Sequence, residues 1–308
     1  MSSYFAVVSF FTLTSIAREQ GTLLHLADAM KHASDATCAE LLLMAELPDE
    51  DVSLIDALLL SVRYANSACP IVEVKQTLDA LAERVRPRIE EVESVREKLD
   101  VLTCFLFDEC GFQGNNDEYY DPRNSYVNKV LERKRGLPIT LSVVYIEVAR
   151  RVGLALEAIS FPFHFLISPT DVEDLFLDPF HKGQQLSKID CKRMLERFSD
   201  GTVPFRPCYL QPATARQVVL RVMRNLKIAH LRARETFDAI ACIDVMLAWD
   251  PDQPKEVRDR GLLYAQMKVW GLAVRDFEAY LEECPAARDR LRIELELANA
   301  RKERLDVN

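Results

Sequence analysis

The side chains best suited to proton chemistry in this sequence are His164, within SFPFHFLI (160–167), and Asp178, within LFLDPF (175–180). Both runs are rich in β-forming residues, and Pro169-Thr170-Asp171-Val172 between them predicts a turn. Strands over 155–167 and 174–178, turning near Asp171, would bring His164 and Asp178 opposite each other. A carboxylate so placed fixes the tautomer of an imidazole and favours its charged form. A slip of one residue in register would instead turn the two to opposite faces. A histidine bonded to a buried carboxylate also serves as a plain structural strut. His164 and His181 lack the local ligand spacing of a zinc site, so neither a metal nor a cofactor is expected.

A second polar group lies upstream in GFQGNNDEYYDPRNSY (111–126), where Asn115, Asp117, Asp121, Arg123, Asn124 and Ser125 could build a site. Asp121, Arg123 and Asn124 are its candidate binding residues. The simpler expectation is that these side chains tie a long loop to the fold through hydrogen bonds to backbone. Lys129, Arg133, Lys134 and Arg135 follow, a basic run expected on the solvated face of a short helix.

The element that must position all of these is the stretch from Pro138 to Val152. Proline suits a first helical position, where its missing N–H has no partner in any case. Gly153 stands where a left-handed cap is wanted. Between them Ile139, Leu141, Val143, Val144, Ile146, Val148 and Ala149 leave almost no polar face, which predicts a buried helix. Helices are also expected over 37–46, 52–66, 72–86 and 89–109, with breaks at Cys69-Pro70 and Arg86-Pro87. Residues 1–35 give no clear pattern beyond Leu23, Leu24, Leu26, Ala27 and Met30 at helical spacing.

GFQGNNDEYYDPRNSYVNKVLERKRGLPITLSVVYIEVARRVGL, FPFHF and LDPF together resemble the SirB-type invasion-regulator family over residues 36–210. The resemblance implies a transglutaminase-like core: a nucleophilic cysteine opening a buried helix, with His164 and Asp178 supplied by a small antiparallel sheet. The cysteine has no match here, because the helix opens Leu137-Pro138-Ile139-Thr140. Thr140 and Ser142 are the nearest hydroxyls, and a base could activate either one. An unactivated alcohol is a far poorer nucleophile than a thiolate, and hydroxyls in first turns usually bond nearby backbone. Cys104 and Cys110 belong to an earlier helix.

Three prolines in GTVPFRPCYLQPA (201–213) predict an extended linker, and a different pattern follows it. Asp250-Pro251 and Cys284-Pro285 stand 34 residues apart, the period of tetratricopeptide (TPR) repeats. Ala239 then matches Ala273, and Ile243 matches Phe277. Gly261 and Tyr264 fill the small and aromatic positions of the second unit, where the first has Lys227 and His230. Two repeats and a capping helix are therefore expected over 214–308. So short an array needs support from the first domain or from another subunit. Arg224 is the candidate basic residue of a peptide groove, but Ile228 and Asp259 do not suit a clamp for chaperone tails.

The expected architecture is α+β: a helical domain with a small antiparallel sheet, followed by an all-α repeat domain. With 48 acidic and 39 basic residues the net charge is −9, which argues against wholesale binding to nucleic acid or anionic membranes. The apolar start lacks the basic region and cleavage site of a signal peptide and is too short to span a bilayer. Eight cysteines without a C-x-x-C pair fit reduced thiols in the cytoplasm. The functional expectation is a non-catalytic protein that binds a protein or peptide through its repeats. The alternative is an acyl-transfer or peptidase-like hydrolase using Thr140 or Ser142 with His164 and Asp178.

Overall fold

The structure is a computed structural model that describes residues 35–65 and 69–306. The N-terminal segment lies outside the described residues except for Asp35. Helices α1 (Asp35–Ala45), α2 (Leu54–Ala65), α3 (Ile71–Glu90) and α4 (Val95–Thr103) come first. The last continues into a π-helical turn over Cys104–Glu109. The break expected at Arg86-Pro87 does not occur. Pro87 sits in the final turn of α3, where its missing N–H forfeits a single bond, and the chain breaks beyond Glu90. Ser94 then opens α4 with a reciprocal capping box to Glu97.

Strand β1 (Gln113–Gly114) pairs in parallel with β2 (Arg135–Gly136), and α5 (Val127–Arg133) lies between them in sequence. Helix α6 (Pro138–Arg151) is the centre of the fold, with every residue from Pro138 to Ala149 buried. Helix α3 packs against one side of it, and strands β3 (Leu156–Ile159) and β4 (Leu166–Pro169) against another. Gly153 takes a φ of 81°, the left-handed cap that its position predicts.

The sheet is an antiparallel meander in the order β3-β4-β5-β6, with β5 at Phe176–Asp178 and β6 at Gln184–Leu186. The single strand expected over 155–167 is two strands. Pro162 has no N–H for a ladder, and Phe163 adopts φ 62°, so the chain turns there and returns as β4. Directly after β6, Ser187 opens α7 (Lys188–Phe198) with a reciprocal capping box to Asp190. The proline-rich stretch after α7 is no free tether. Val203, Phe205, Tyr209 and Leu210 pack on Ile159, Phe161, Leu166, Phe176 and Met194, and Ala213 N donates to Ala158 O at 2.7 Å.

Two antiparallel helix pairs follow, α8 (Ala215–Ala233) with α9 (Thr236–Trp249) and α10 (Pro254–Gln266) with α11 (Trp270–Glu283). Helix α12 (Arg290–Asp306) closes the array against α11. A side chain at Gly261 would bring its Cβ to 2.9 Å from the Phe277 ring, so the second pair needs glycine there. The array leans on the first domain, as its shortness requires: α8 and α9 both pack on α2. Trp249 Nε1 donates to Ser61 Oγ at 2.9 Å, and Arg216 donates to the carbonyls of Ala45, Leu47 and Trp249.

Candidate functional site

His164 and Asp178 meet, but not by the pairing that their spacing suggests. Ile167 stands opposite Leu177, two residues out of the expected register, and His164 lies in the turn between β3 and β4. Its ring folds over the end of β5 and bonds through Nε2 to Asp178 Oδ2 at 2.8 Å. Asp178 is fully buried, and its other oxygen accepts from the backbone N–H of Phe180 (3.0 Å) and His181 (3.3 Å). Those bonds make it the N-cap of a short 3-10 turn, Pro179–His181.

The cap creates a third member. His181 Nδ1 lies 2.7 Å from the same Asp178 oxygen that holds His164, and the two imidazole centroids are 5.7 Å apart. Burial pushes the Asp178 carboxyl upward, but bonds to both histidines win and hold it near 2, so it is a carboxylate at neutral pH. The bond to Asp178 raises the pKa of His181, against a smaller opposing effect of burial. Rings of Phe180 and Phe198 flank His164 with centroids at 6.1 and 5.5 Å. The His181 side chain is 50% exposed, and Phe163 at the outer edge is 60% exposed.

Arg221 on α8 pins this turn from the repeat side. Its guanidinium donates to Ser160 Oγ (2.8 Å), Phe161 O (2.9 Å) and His164 O (2.5 Å). Desolvation lowers its pKa, and no carboxylate pairs with it among the described residues. Sequence reasoning missed both His181 as a partner of Asp178 and Arg221. The first had a signal in the spacing Asp178-Pro-Phe-His181, which places a turn residue beside its own cap. The second had none, because it depends on how the repeats dock.

The two candidate hydroxyls do not join the group. Thr140 Oγ1 donates its one proton to Asn124 O (2.7 Å), with Leu137 O at 3.2 Å, and accepts from Leu137 N (3.0 Å), so it caps its own helix. Ser142 Oγ is buried and makes no hydrogen bond. Where a nucleophile would open α6 stands Pro138, itself buried.

The loop candidates form a network of their own. Asn124 Nδ2 donates to the carbonyls of Glu118 (2.6 Å) and Tyr119 (3.3 Å), and its Oδ1 accepts from Asn115 Nδ2 (3.0 Å). Asp121 accepts from the backbone and side chain of Arg123, and Arg133 reaches it at 3.3 Å. Gly114 beside this loop has no room for a side chain, since a Cβ would lie 2.6–2.7 Å from the Phe180 ring and carbonyl. Arg224, on α8, donates to Gln253 Oε1 at 2.6 Å and stands apart from the histidines in its contacts.

The Transglutaminase-like superfamily profile matches residues 72–224, and the Tetratricopeptide repeat profile matches 226–298. A UPF0162 protein of Xylella fastidiosa (strain 9a5c) is 34% identical over 269 residues, covering 86% of this chain and 96% of that protein. Protein SirB1 of Salmonella typhimurium is 25% identical over 248 residues, 79% of this chain and 90% of that one. F-box only protein 21 of Homo sapiens is 28% identical over 232 residues, which span 71% of this chain and 35% of its own. No solved structure matches significantly.

Proposed function

The chain belongs to the SirB-type UPF0162 family, a transglutaminase-like domain followed by TPR repeats, and from that premise we propose that it binds a protein or peptide partner and performs no acyl transfer. The observation that carries this is the start of α6. The helix dipole and free N–H groups there would stabilise a thiolate or an oxyanion, and the residue present is Pro138. Thr140 is engaged in capping. Burial pushes Cys69 up to about 11 and Cys191 up to about 12 and raises Cys110 and Cys242, so these stay protonated, unreactive thiols.

In this proposal the transglutaminase-like domain is a rigid support and the repeats carry the contact surface, on which α8 presents Arg224 and exposed Ile228. The cytoplasm is the proposed location. Free cysteines fit it, and among the described residues no helix is long and apolar enough to cross a membrane. The proposed partner is not a nucleic acid, given the acidic net charge.

One observation favours the hydrolase alternative: Ser142 has a buried hydroxyl without a hydrogen-bond partner. Electrophilic acyl probes and a panel of amides and esters separate the two. The expected result is no turnover and no adduct at Thr140 or Ser142. A stoichiometric adduct on either hydroxyl, lost in His164→Ala, would replace the binding proposal with catalysis.

A further inference from the structure

We propose that His164 Nε2, His181 Nδ1 and Asp178 Oδ2 form a binding site for one divalent transition-metal ion of the zinc class. The three atoms lie within 4.8 Å of one another, with the nitrogens at 2.8 and 2.7 Å from the shared oxygen. Around a zinc ion with bonds of about 2.0–2.1 Å, neighbouring ligand atoms stand roughly 3.3 Å apart. An ion therefore enters by moving each nitrogen about half an ångström away from the shared oxygen. Two imidazoles and one carboxylate suit zinc, cobalt, nickel or iron; calcium and magnesium prefer sets made of oxygen alone.

The shell around these atoms behaves as a support. Asp178 Oδ1 is tied to two backbone N–H groups, which aim Oδ2 at both rings. Arg221 fixes the backbone of His164, and Phe180 and Phe198 hold its ring. Such outer partners orient ligands and tune affinity. His164 and Asp178 are buried while His181 is half exposed, so an ion can enter past His181 and keep a fourth position for water. Proton accounting also closes. A neutral ring donating to Asp178 moves its proton to the other nitrogen when the metal takes its place: to Nδ1 in His164 and to Nε2 in His181.

A second cluster, His230, Glu235 and Asp238, provides a contrast. His230 holds Tyr126 Oη at 2.8 Å through Nε2 and Glu235 at 2.7 Å through Nδ1, and its carboxylates come from an exposed Glu235 and a half-buried Asp238 in place of a buried one tied to backbone N–H groups.

The test uses the full chain, stripped with a chelator, dialysed and titrated with Zn2+ by calorimetry and with Co2+ by visible absorption. The expected result is one equivalent bound, with affinity reduced at least about tenfold in His181→Ala and unchanged in His230→Ala. His181 is half exposed, so its removal should leave the fold intact, which far-ultraviolet circular dichroism checks. If that variant fails to fold, X-ray absorption of the zinc-loaded wild type decides. Two imidazoles around the ion support the site, and a shell with fewer overturns it. Absence of Zn2+ binding, or equal binding by wild type and folded His181→Ala, also overturns it. None of these readouts depends on whether the chain is catalytic, so the outcome stands apart from the partner-binding proposal.

Discussion

Arg221→Met should destabilise the protein by roughly 2–4 kcal/mol. The substitution keeps most of the aliphatic volume and deletes three donated bonds from a charged group. Phe161 O keeps a second partner, the backbone N–H of His164 at 3.1 Å, so its loss is partial. Ser160 Oγ can turn to another acceptor or to water. His164 O loses its strongest contact, a bond of 2.5 Å, and a stranded carbonyl costs about 1–3 kcal/mol. The other two bonds add roughly 0.5–1.5 kcal/mol each. Against this, the partly buried guanidinium has no carboxylate partner among the described residues, and removing it recovers part of its desolvation penalty, which brings the sum back to the stated range. The assay is urea denaturation followed by tryptophan fluorescence and circular dichroism. Arg221→Lys retains the charge without the fork and should fall between the two. A change below about 0.5 kcal/mol in Arg221→Met would refute the idea that α8 holds the His164 turn in place.

Gly114→Ala should destabilise the protein by about 1–3 kcal/mol, since its Cβ would press on the Phe180 ring and carbonyl and displace the 3-10 turn that carries His181; a melting temperature equal to wild type would show that the loop yields freely. Acid stability should depend on Asp178 in metal-free protein. Its folded pKa near 2 lies below the unfolded value of 3.8, so it stabilises above pH 3.8, and about 2 kcal/mol is lost as pH falls through that window. His181, with a raised pKa, acts the opposite way: its contribution is present at acid pH and is lost as pH rises through its folded value. Asp178→Asn should therefore show a flatter stability profile between pH 4 and 2, and an unchanged slope would sink that assignment.

Helix α6 was legible from composition alone, because a run apolar on every face has no stable position except inside, and Pro138 and Gly153 mark its ends by backbone chemistry. The repeats were legible for a similar reason: glycine and alanine stand where helices touch, as the packing of Gly261 against Phe277 confirms. The residues His164 and Asp178 could be picked out too, but not how they meet. A proline and a left-handed phenylalanine end β3 early, and the bond forms through a folded turn instead of a cross-strand pair. Thr140 illustrates the limit from the other side. Its type permits chemistry, and only the position of Asn124 O, sixteen residues earlier, decides where its hydroxyl proton goes. Sequence determined that α6 had to be buried and where that helix had to begin and end, because those follow from local sterics and from the aversion of apolar surface to water. The tertiary structure alone decided that two histidines share one carboxylate oxygen and that an arginine from a repeat helix holds one of their loops. The His181 contact follows from the local Asp178 cap, but the His164 turn and the Arg221 helix come from other segments of the chain, and where they meet is set by packing that no local pattern encodes.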